Sequence, residues 1–316
     1  MSSGRLAAKV LFFLACGFAS ACADASGADE AADVATEEAE VESEPLAQVG
    51  GGCLESVSNF NGAGPFRYTT RTSGATKLWV PQVSAGCKVP IVHLANGTGA
   101  NCGNYRGVLE RLASHGFLTV CYENTNTGAG QMGIDAIETA MRLYPDLYDN
   151  KIGSTGHSQG GQASLVTLQL AEQKWGSSFT FAGLAMEPAS GFGQQPRGQS
   201  WRQSYGKIKS PSFLFSGDSA LGFANSTLLG QSTGDGLVAI SWVDEGYNAL
   251  SRGIEAYHWV AKGASHIPTP QVETNDVAPA WFHWKLLGNN AACQYFKNLP
   301  NTGRWINRKQ QNPGGC

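Results

Sequence analysis

The chain of 316 residues has no Cys-x-x-Cys pair, few charges and no apolar run long enough to cross a membrane. Without a Cys-x-x-Cys pair a metal cage has little support, so no metal is expected. Charged residues make up only 15% of the chain and the net charge is −3, so its overall charge gives no reason to expect a nucleic-acid partner. The 40 glycines follow no three-residue period, which excludes a collagen-like protein.

Apolar residues are abundant, at 42% of the sequence, which is enough to fill a sizeable core. The charge is unevenly distributed, because residues 24–45 contain nine of the 25 acidic residues and no lysine or arginine. This acidic segment, which also lacks aromatic residues, repels itself and cannot pack. We therefore expect residues 23–50 to form a flexible, disordered linker and residues 51–316 to form a single folded domain.

Residues 1–22 have the features of an export signal. Arg5 and Lys9 precede a short apolar run at residues 10–16, and small residues follow it. Residues 19–22 (ASAC) also resemble the lipid-attachment sequence of bacterial lipoproteins. The sequence therefore predicts an exported protein and leaves two forms open. The protein is either secreted or tethered by a lipid on Cys22 at the outer surface or in the periplasm.

Six cysteines follow the predicted signal, and an even number in an oxidising compartment indicates three disulfide bonds. Six cysteines can pair in 15 ways. Their order along the chain favours sequential pairs, namely Cys53–Cys87, Cys102–Cys121 and Cys293–Cys316. The last of these pairs would hold the C-terminal tail against the domain.

Within residues 51–316, short apolar runs alternate with segments of helical spacing. Strands are predicted at residues 88–95, 117–121, 151–155, 179–186, 212–216 and 256–261. Helices are predicted at residues 104–115, 132–143, 161–172, 241–250 and 279–287, the last with Pro279 at its start. This alternation predicts an α/β protein with a mostly parallel sheet and helices on both faces.

The turn after the strand at 151–155 contains a nucleophile motif. Residues 156–161 (GHSQGG) carry the pattern G-x-S-x-G around Ser158. At such a sharp turn only small residues fit beside the serine, whose hydroxyl is exposed at the carboxyl edge of the sheet. The same pattern in a glycine-rich chain can be an ordinary turn. The strand before it and the helix after it favour a catalytic Ser158.

A serine nucleophile needs a base, and in the fold that carries this motif the chain order is serine, acid, histidine. Of six histidines, only His266 follows Ser158 in a loop directly after a predicted strand. His157 is next to the serine, but adjacent residues at a sharp turn point apart. His266 is therefore the predicted base.

The acid should follow the strand at 212–216, where Asp218 and Asp235 are both candidates. Asp218 is nearer in sequence. Asp235 is favoured because the predicted helix at 241–250 follows it, as it does after the acid in this fold. This choice makes residues 219–232 an insertion, and that insertion and residues 191–204 are both candidates for a lid.

Attack on an ester places charge on the carbonyl oxygen, which needs two backbone N–H donors. One donor comes from the residue after the nucleophile, which is Gln159. The other comes from the loop after an earlier strand, where residues 96–99 (NGTG) follow the strand at 88–95. Thr98 is the natural donor in that loop.

These motifs resemble the secreted bacterial α/β-hydrolases of the cutinase and polyethylene terephthalate hydrolase group, close to dienelactone-hydrolase-like and chlorophyllase-like esterases. The resemblance begins at residues 64–66 and covers most of residues 51–316. The motifs that carry it are residues 96–99 (NGTG), 111–117 (RLASHGF), 156–161 (GHSQGG) and 263–266 (GASH). They are specific for the superfamily and less so for the polyester-degrading group.

The resemblance implies an α/β-hydrolase fold and a serine esterase that hydrolyses short-chain or polyester-like carboxylic esters through an acyl-enzyme. Ser158, Asp235 and His266 would then be the catalytic residues, with Thr98 and Gln159 as the oxyanion-hole donors. Neither a metal nor an organic cofactor is needed. We expect a monomer whose partner is the ester substrate.

The sequence departs from the polyester hydrolases where the substrate would be held. Thr98 stands where they often have an aromatic residue, and Gln159 stands where they often have Met. Residues 187–189 (EPA) replace an aromatic residue expected after the strand at 179–186, which argues against an aromatic polyester. Two other functions stay open: a non-catalytic surface-binding protein on a hydrolase scaffold, and an amide or peptide hydrolase.

Overall fold

The computed structural model describes residues 53–54, 57–127, 129–192, 194–218, 235, 237–266 and 274–316. In these residues, nine strands form one sheet. They are β1 (Tyr68–Ser73), β2 (Thr76–Pro81), β3 (Val89–Ala95), β4 (Leu118–Tyr122), β5 (Tyr148–His157), β6 (Thr180–Met186), β7 (Ser212–Gly217), β8 (Ala256–Ala261) and β9 (Trp305–Gln311).

The order of the strands places a topological switch in the middle of the sheet. The order is β1-β2-β4-β3-β5-β6-β7-β8-β9, and β3 to β8 are parallel. The chain runs outward from β3 to β4 and then returns to the other side of β3 to form β5. Ligands of open α/β sheets bind beyond the carboxyl ends of the strands at such a switch point. The loops after β3 and β5 lie at this position.

Seven α-helices are described, and they cover both faces of the sheet. They are α1 (Arg106–Ser114), α2 (Gln131–Leu143), α3 (Gln159–Trp175), α4 (Trp201–Tyr205), α5 (Ile240–Ala249), α6 (Thr274–Leu287) and α7 (Asn290–Asn298). Apolar residues of α1, α6 and α7 belong to one buried cluster, and those of α2, α3, α4 and α5 belong to another.

Strand β3 shows why the central strands are continuous apolar runs. Val92 and Leu94 belong to the cluster on one face, whereas Val89 and Ile91 belong to the cluster on the other. Successive side chains of a strand point to opposite faces, so a strand covered on both sides carries apolar residues on both, as β3 does at every position except His93. The predicted α/β class and mostly parallel sheet with helices on both faces are confirmed.

Each predicted strand and helix is present, but three strands at the edges of the sheet were missed. β1 and β2 form an antiparallel pair at one edge, and β9 lies antiparallel to β8 at the other. Most side chains of β1 and β9 are at least partly exposed. Exposed edge strands carry polar residues and so lack the apolar run by which the central strands were predicted.

The predicted start of the last helix at Pro279 is wrong. α6 already includes Thr274, so Pro279 lies inside the helix. A proline in that position removes one backbone hydrogen bond. Val277 and Ala278, which precede it, are buried in the core, and this burial outweighs the local preference against an internal proline.

The three predicted disulfides are confirmed. Cys53 pairs with Cys87, Cys102 with Cys121 and Cys293 with Cys316. Such bonds are typical of an oxidising, exported environment. The predicted signal at residues 1–22 and linker at 23–50 lie outside the described residues, and in the part of the chain that is described no helix is long and apolar enough to span a bilayer.

Of the two candidate lids, residues 219–232 lie outside the described residues. The stretch at 191–204 is described except for residue 193, and it is attached to α3. The backbone N–H of Gly191 donates to Gln162 Oε1 at 2.7 Å, and Gln199 Nε2 donates to Gln169 Oε1 at 3.0 Å.

The disulfide between Cys293 and Cys316 should stabilise the edge of the sheet that ends with β9. It closes 23 residues, so its loss should lower the free energy of unfolding by about 3 kcal/mol. We expect this loss in the double variant Cys293→Ala and Cys316→Ala, measured by guanidinium unfolding. Gly315→Ala is the control, because its new Cβ would meet no atom within 4 Å. Unfolding at the wild-type midpoint would show that the tail is held without the disulfide.

Candidate active site

Polar residues converge at the carboxyl ends of five neighbouring strands. Each comes from the segment that follows one strand: Thr98 after β3, Ser158 after β5, Glu187 after β6, Asp235 after β7 and His266 after β8. The carboxyl ends of parallel strands meet at one edge of the sheet. The fold therefore places all five residues at the same edge.

Ser158 occupies a strained turn between β5 and α3. Its φ is 57° and its ψ is −123°, a conformation that few residues other than glycine adopt. Neighbouring backbone holds it there, because its N–H donates to Met186 O at 3.0 Å and its carbonyl accepts from Ala189 N at 3.0 Å. The Ser158 side chain is half-buried, and α3 begins at the next residue. This geometry is typical of a nucleophile at a strand-to-helix turn.

The turn depends on the glycines that flank the serine. A Cβ added at Gly156 would lie 2.1 Å from Gly160 O, and a Cβ added at Gly160 would lie 2.1 Å from Ala95 O. Both contacts are to backbone, which cannot move aside easily. The absence of side chains therefore allows the end of β3, the end of β5 and the start of α3 to touch.

His266 and Asp235 are joined by two hydrogen bonds. His266 Nδ1 lies 2.8 Å from Asp235 Oδ2, and the backbone N–H of His266 donates to Asp235 O at 3.0 Å. Asp235 Oδ1 accepts the N–H groups of Leu237 and Val238 at 2.9 and 2.7 Å. Both residues are buried. The Asp235 carboxylate is thus fixed, and it holds one ring nitrogen of His266 so that Nε2 is left for a substrate or nucleophile.

Asp218, the other predicted candidate for the acid, does not contact His266 in the structure. It is exposed, and its Oδ1 accepts the backbone N–H of Gly263 at 2.5 Å. That bond fixes the loop between β8 and His266. The structure therefore brings Asp235 and His266 together and places Asp218 outside the pair.

The two predicted oxyanion donors lie side by side. Thr98 Oγ1 donates to Gln159 Oε1 at 2.8 Å, and Gln159 Nε2 donates to Asn126 Oδ1 at 2.6 Å. The buried side chain of Asn96 holds the base of the Thr98 loop by donating to Ala100 O at 2.8 Å. The backbone N–H groups of Thr98 and Gln159 have no acceptor within the described residues. Both groups are therefore free to donate a hydrogen bond to a bound ligand.

His157 connects the loop that carries Thr98 to the buried acids. Its Nδ1 lies 2.8 Å from Tyr105 Oη, which accepts the backbone N–H of Gly97 at 3.0 Å. Burial raises the pKa of Tyr105 to about 12, so the phenol stays protonated and donates to His157 Nδ1. Burial also lowers the pKa of His157 well below its ordinary value, so its ring is neutral and carries its proton on Nε2.

Glu187 is a second buried carboxyl in contact with His266. Its Oε2 lies 3.3 Å from His266 Nδ1 and 3.2 Å from His157 Nε2. The rings of the two histidines are 4.4 Å apart between centroids. Because Ser158 directly follows His157, this cluster lies immediately beside the serine turn.

Burial and charge act in opposite directions on these groups. Burial raises the pKa of Glu187 to about 8, the hydrogen bond to His266 opposes the rise, and the charge of Asp235 adds to it. Burial alone would lower the pKa of His266, but hydrogen bonds to Asp235 and Glu187, together with their charges, raise it to about 9. Burial therefore favours the neutral form of Glu187, whereas its hydrogen bond to His266 favours the ionised form.

One group among the described residues has the donor atoms for a metal ion. Nitrogen and oxygen atoms of His157, Glu187 and His266 all lie within 4.8 Å of one another. Two histidines and a carboxylate are a common zinc donor set. Each of these side chains is already hydrogen-bonded, His157 to Tyr105 and His266 to Asp235. We therefore assign no metal to the group.

The sequence argument missed Glu187 and the position of His157. The signal for Glu187 was present, since it is an acid directly after the predicted strand at 179–186. We interpreted residues 187–189 only as the loss of an aromatic residue. For His157, the sequence predicts only that its side chain points away from that of Ser158, and the structure shows that it is buried. Its ring nevertheless points into the cluster around His266.

No protein-family model matches the chain, and no curated protein sequence matches it at a significant level. We therefore infer the function from the geometry of these residues.

Alanine at Gly156 or Gly160 should disrupt the turn at Ser158. The clashes at 2.1 Å with backbone oxygens should lower the free energy of unfolding by about 3 kcal/mol or more, in the range of severe steric substitutions. Thermal unfolding of each variant measures the effect. Gly253→Ala is the matched control, because its Cβ would meet its nearest atom at 3.9 Å. Equal melting temperatures for all three variants would contradict the close packing of the turn.

Proposed function

We propose that the protein is an exported serine esterase of the α/β-hydrolase fold that cleaves carboxylic esters through an acyl-enzyme. The contact of 2.8 Å between His266 Nδ1 and Asp235 Oδ2 carries the proposal. It occurs in the chain order serine, acid, histidine that this fold uses. The strained turn at Ser158 supports the proposal, because a turn of that kind exposes a nucleophile.

In the first half of the proposed reaction, Ser158 Oγ attacks the ester carbonyl carbon and His266 Nε2 takes the hydroxyl proton. Asp235 keeps the imidazole in the tautomer with its proton on Nδ1 and stabilises the positive charge that forms. The backbone N–H groups of Thr98 and Gln159 bind the oxyanion. When the tetrahedral intermediate collapses, the C–O bond to the alcohol breaks and the alcohol leaves with the proton from His266.

In the second half, water attacks the acyl group on Ser158. His266 takes a proton from that water, and the same two N–H groups bind the second oxyanion. The bond between the acyl carbon and Ser158 Oγ then breaks, and His266 returns the proton to the serine oxygen. The free acid leaves, and the enzyme is restored with no metal or organic cofactor in the cycle.

The loops that carry the acids also supply apolar surface for a substrate. Phe192 and Leu237 are the two large apolar side chains exposed within the described residues, at 55% and 37%. Phe192 N donates to Ala189 O at 3.0 Å, and Ala189 N in turn donates to Ser158 O. Leu237 N donates to Asp235 Oδ1. Both side chains are thus attached close to the proposed triad, which favours an ester with an apolar acyl or alcohol group.

Three tryptophans that could supply an aromatic contact for substrate pack elsewhere. Trp201 and Trp259 are buried, at 6% and 3% exposure, and pack in the two cores. Trp242 packs, partly buried, against one of the cores. Phe192 is therefore the aromatic residue proposed to contact substrate.

Ser158→Ala should lower kcat/KM for p-nitrophenyl butyrate by about a thousandfold or more, because it removes the nucleophile. It should also abolish labelling by a fluorophosphonate. Asp235→Asn should lower the rate at least about tenfold by weakening the hold on His266. Asp218→Asn is the matched control and should leave the rate within about twofold, since the contact of its carboxylate among the described residues is with the loop N–H of Gly263 and not with His266.

A p-nitroanilide run in the same assay separates esterase from amidase activity, because both substrates use the same residues. If the folded wild-type protein neither turns over any of these substrates nor reacts with the fluorophosphonate, the esterase proposal is wrong. A non-catalytic binding protein on the same scaffold would then be the better interpretation.

Phe192→Ala should raise KM for p-nitrophenyl octanoate by about fivefold or more, because burial of an aromatic side chain against a long acyl chain is worth about 1–3 kcal/mol. The same variant should leave KM for p-nitrophenyl acetate nearly unchanged, since that acyl group is too short for the contact. Steady-state kinetics with both esters measures the difference. An equal change for both esters would show that Phe192 does not contact the acyl chain.

A further inference from the structure

Glu187 is a buried carboxyl that the reaction above does not use. It follows β6 directly, and its side chain is fully buried. Its φ is 48°, so Glu187 and Ser158 are two of the four non-glycine residues with positive φ among the described residues. A buried carboxyl and a left-handed backbone both cost stability. Strain of this kind collects at functional sites, which indicates a function for Glu187.

Both imidazoles of the site reach one oxygen of Glu187. Oε2 lies 3.3 Å from His266 Nδ1 and 3.2 Å from His157 Nε2. Oε1 is buried and has no hydrogen-bond partner in the part of the chain described. The ion-pair partners of Glu187 among those residues are histidines only, with no lysine or arginine. The surrounding residues thus direct this carboxyl towards the imidazoles.

The neighbours of His157 fix Glu187 in place. Tyr105 donates its proton to His157 Nδ1, so the His157 ring carries its proton on Nε2 and donates it to Glu187 Oε2. An oxygen has two lone pairs, and the second one at Oε2 is available to His266 Nδ1. Glu187 is therefore anchored by one histidine and presented to the other.

Asp235 and Glu187 compete for the same nitrogen of His266. Asp235 Oδ2 is closer, at 2.8 Å, and Asp235 Oδ1 is held by two backbone N–H groups. Glu187 Oε2, at 3.3 Å, is the other carboxylate oxygen next to that nitrogen. If Asp235 loses its charge, Glu187 can accept the Nδ1 proton after a small movement.

We propose that Glu187 is a second acid of the site, a positioning residue that holds the His266 imidazole together with Asp235 and replaces Asp235 when that carboxylate is removed. This inference rests on the proposed esterase function. The titratable groups that face Glu187 come from four other parts of the fold: Asp235 after β7, His266 after β8, His157 at the end of β5 and Tyr105 before α1.

A double-mutant cycle with Asp235→Asn and Glu187→Gln tests the replacement. Asp235→Asn alone should lower kcat for p-nitrophenyl butyrate by about 10- to 100-fold, because Glu187 still holds His266. With Glu187→Gln in addition, the loss should approach about 10⁴-fold, the usual effect of removing a triad acid. Glu187→Gln alone should cost less than about tenfold. If Asp235→Asn causes the same fold loss in both backgrounds, the proposal is wrong.

The pH dependence of kcat/KM gives a readout that a purely structural role would not change. Carboxylates beside His266 raise its pKa, so removal of one should lower that pKa. The base then becomes neutral at lower pH, and the acid limb of the profile should shift to lower pH in Glu187→Gln. An acid limb at the wild-type position would contradict the contact.

A matched control separates this effect from a general loss of a buried carboxyl. Glu172 lies on α3, is partly buried and accepts the backbone N–H groups of Lys209 and Ser210. Burial raises its pKa, as it does for Glu187. Glu172→Gln should leave the pH profile and the effect of Asp235→Asn unchanged. Thermal unfolding of every variant shows which of them fold.

If Glu187→Gln does not fold, Asp235→Asn alone still tests the proposal. Glu187 must be ionised to replace Asp235, so the remaining activity of that variant should rise with pH through an ionisation that the wild type lacks. A profile that is parallel to the wild-type profile would overturn the inference.

The failure of this inference differs from a failure of the esterase proposal. If wild-type activity depends on Ser158 but the cycle shows no coupling, only the role of Glu187 is wrong. If the folded wild type has no activity on any ester and Ser158 is not labelled, the esterase proposal itself is wrong.

Discussion

The site depends on one close approach of backbone, where the ends of β3 and β5 meet the start of α3. Gly156 and Gly160 leave no room for a side chain at this point, since an added Cβ would lie 2.1 Å from a backbone oxygen in each case. The approach keeps Ser158 in its positive-φ turn and places the Thr98 loop beside it. Because the proposed nucleophile and the proposed oxyanion donors share this contact, we expect a change in one of the glycines to affect both.

Two carboxyl groups and two histidines are buried around that turn. Asp235 and His266 form a pair in which the carboxylate is satisfied by backbone N–H groups, whereas Glu187 has one oxygen without such partners. Burial raises the pKa of Glu187, and its hydrogen bond to His266 opposes that rise. His157 links Glu187 through the Tyr105 phenol to Gly97, in the loop that carries Thr98. A chain of hydrogen bonds therefore joins Glu187 to the loop of the proposed oxyanion donor.

The sequence predicted the central strands and most helices, because strands covered on both faces are apolar runs and covering helices have a regular apolar face. It did not predict β1 and β9, whose exposed edge positions have no such run, or β2, which is a short buried strand between β1 and β4. The order of the cysteines was sufficient to predict all three disulfides, since each bond joins two cysteines that follow one another in the chain. The local sequence did not predict the start of α6. There the burial of the residues before Pro279 outweighs the preference of proline for the first turn of a helix.

The sequence by itself determined the α/β class, because strands and helices alternate along the chain. It also determined the turn at Ser158 and the loop that carries His266, because each is a short segment directly after a predicted strand. It left Asp218 and Asp235 as alternatives and gave no role to Glu187. Only the tertiary structure decided which carboxylates meet His266. Contacts between loops after different strands depend on how the strands are ordered and how far each loop reaches, and neither is a property of any one segment of sequence.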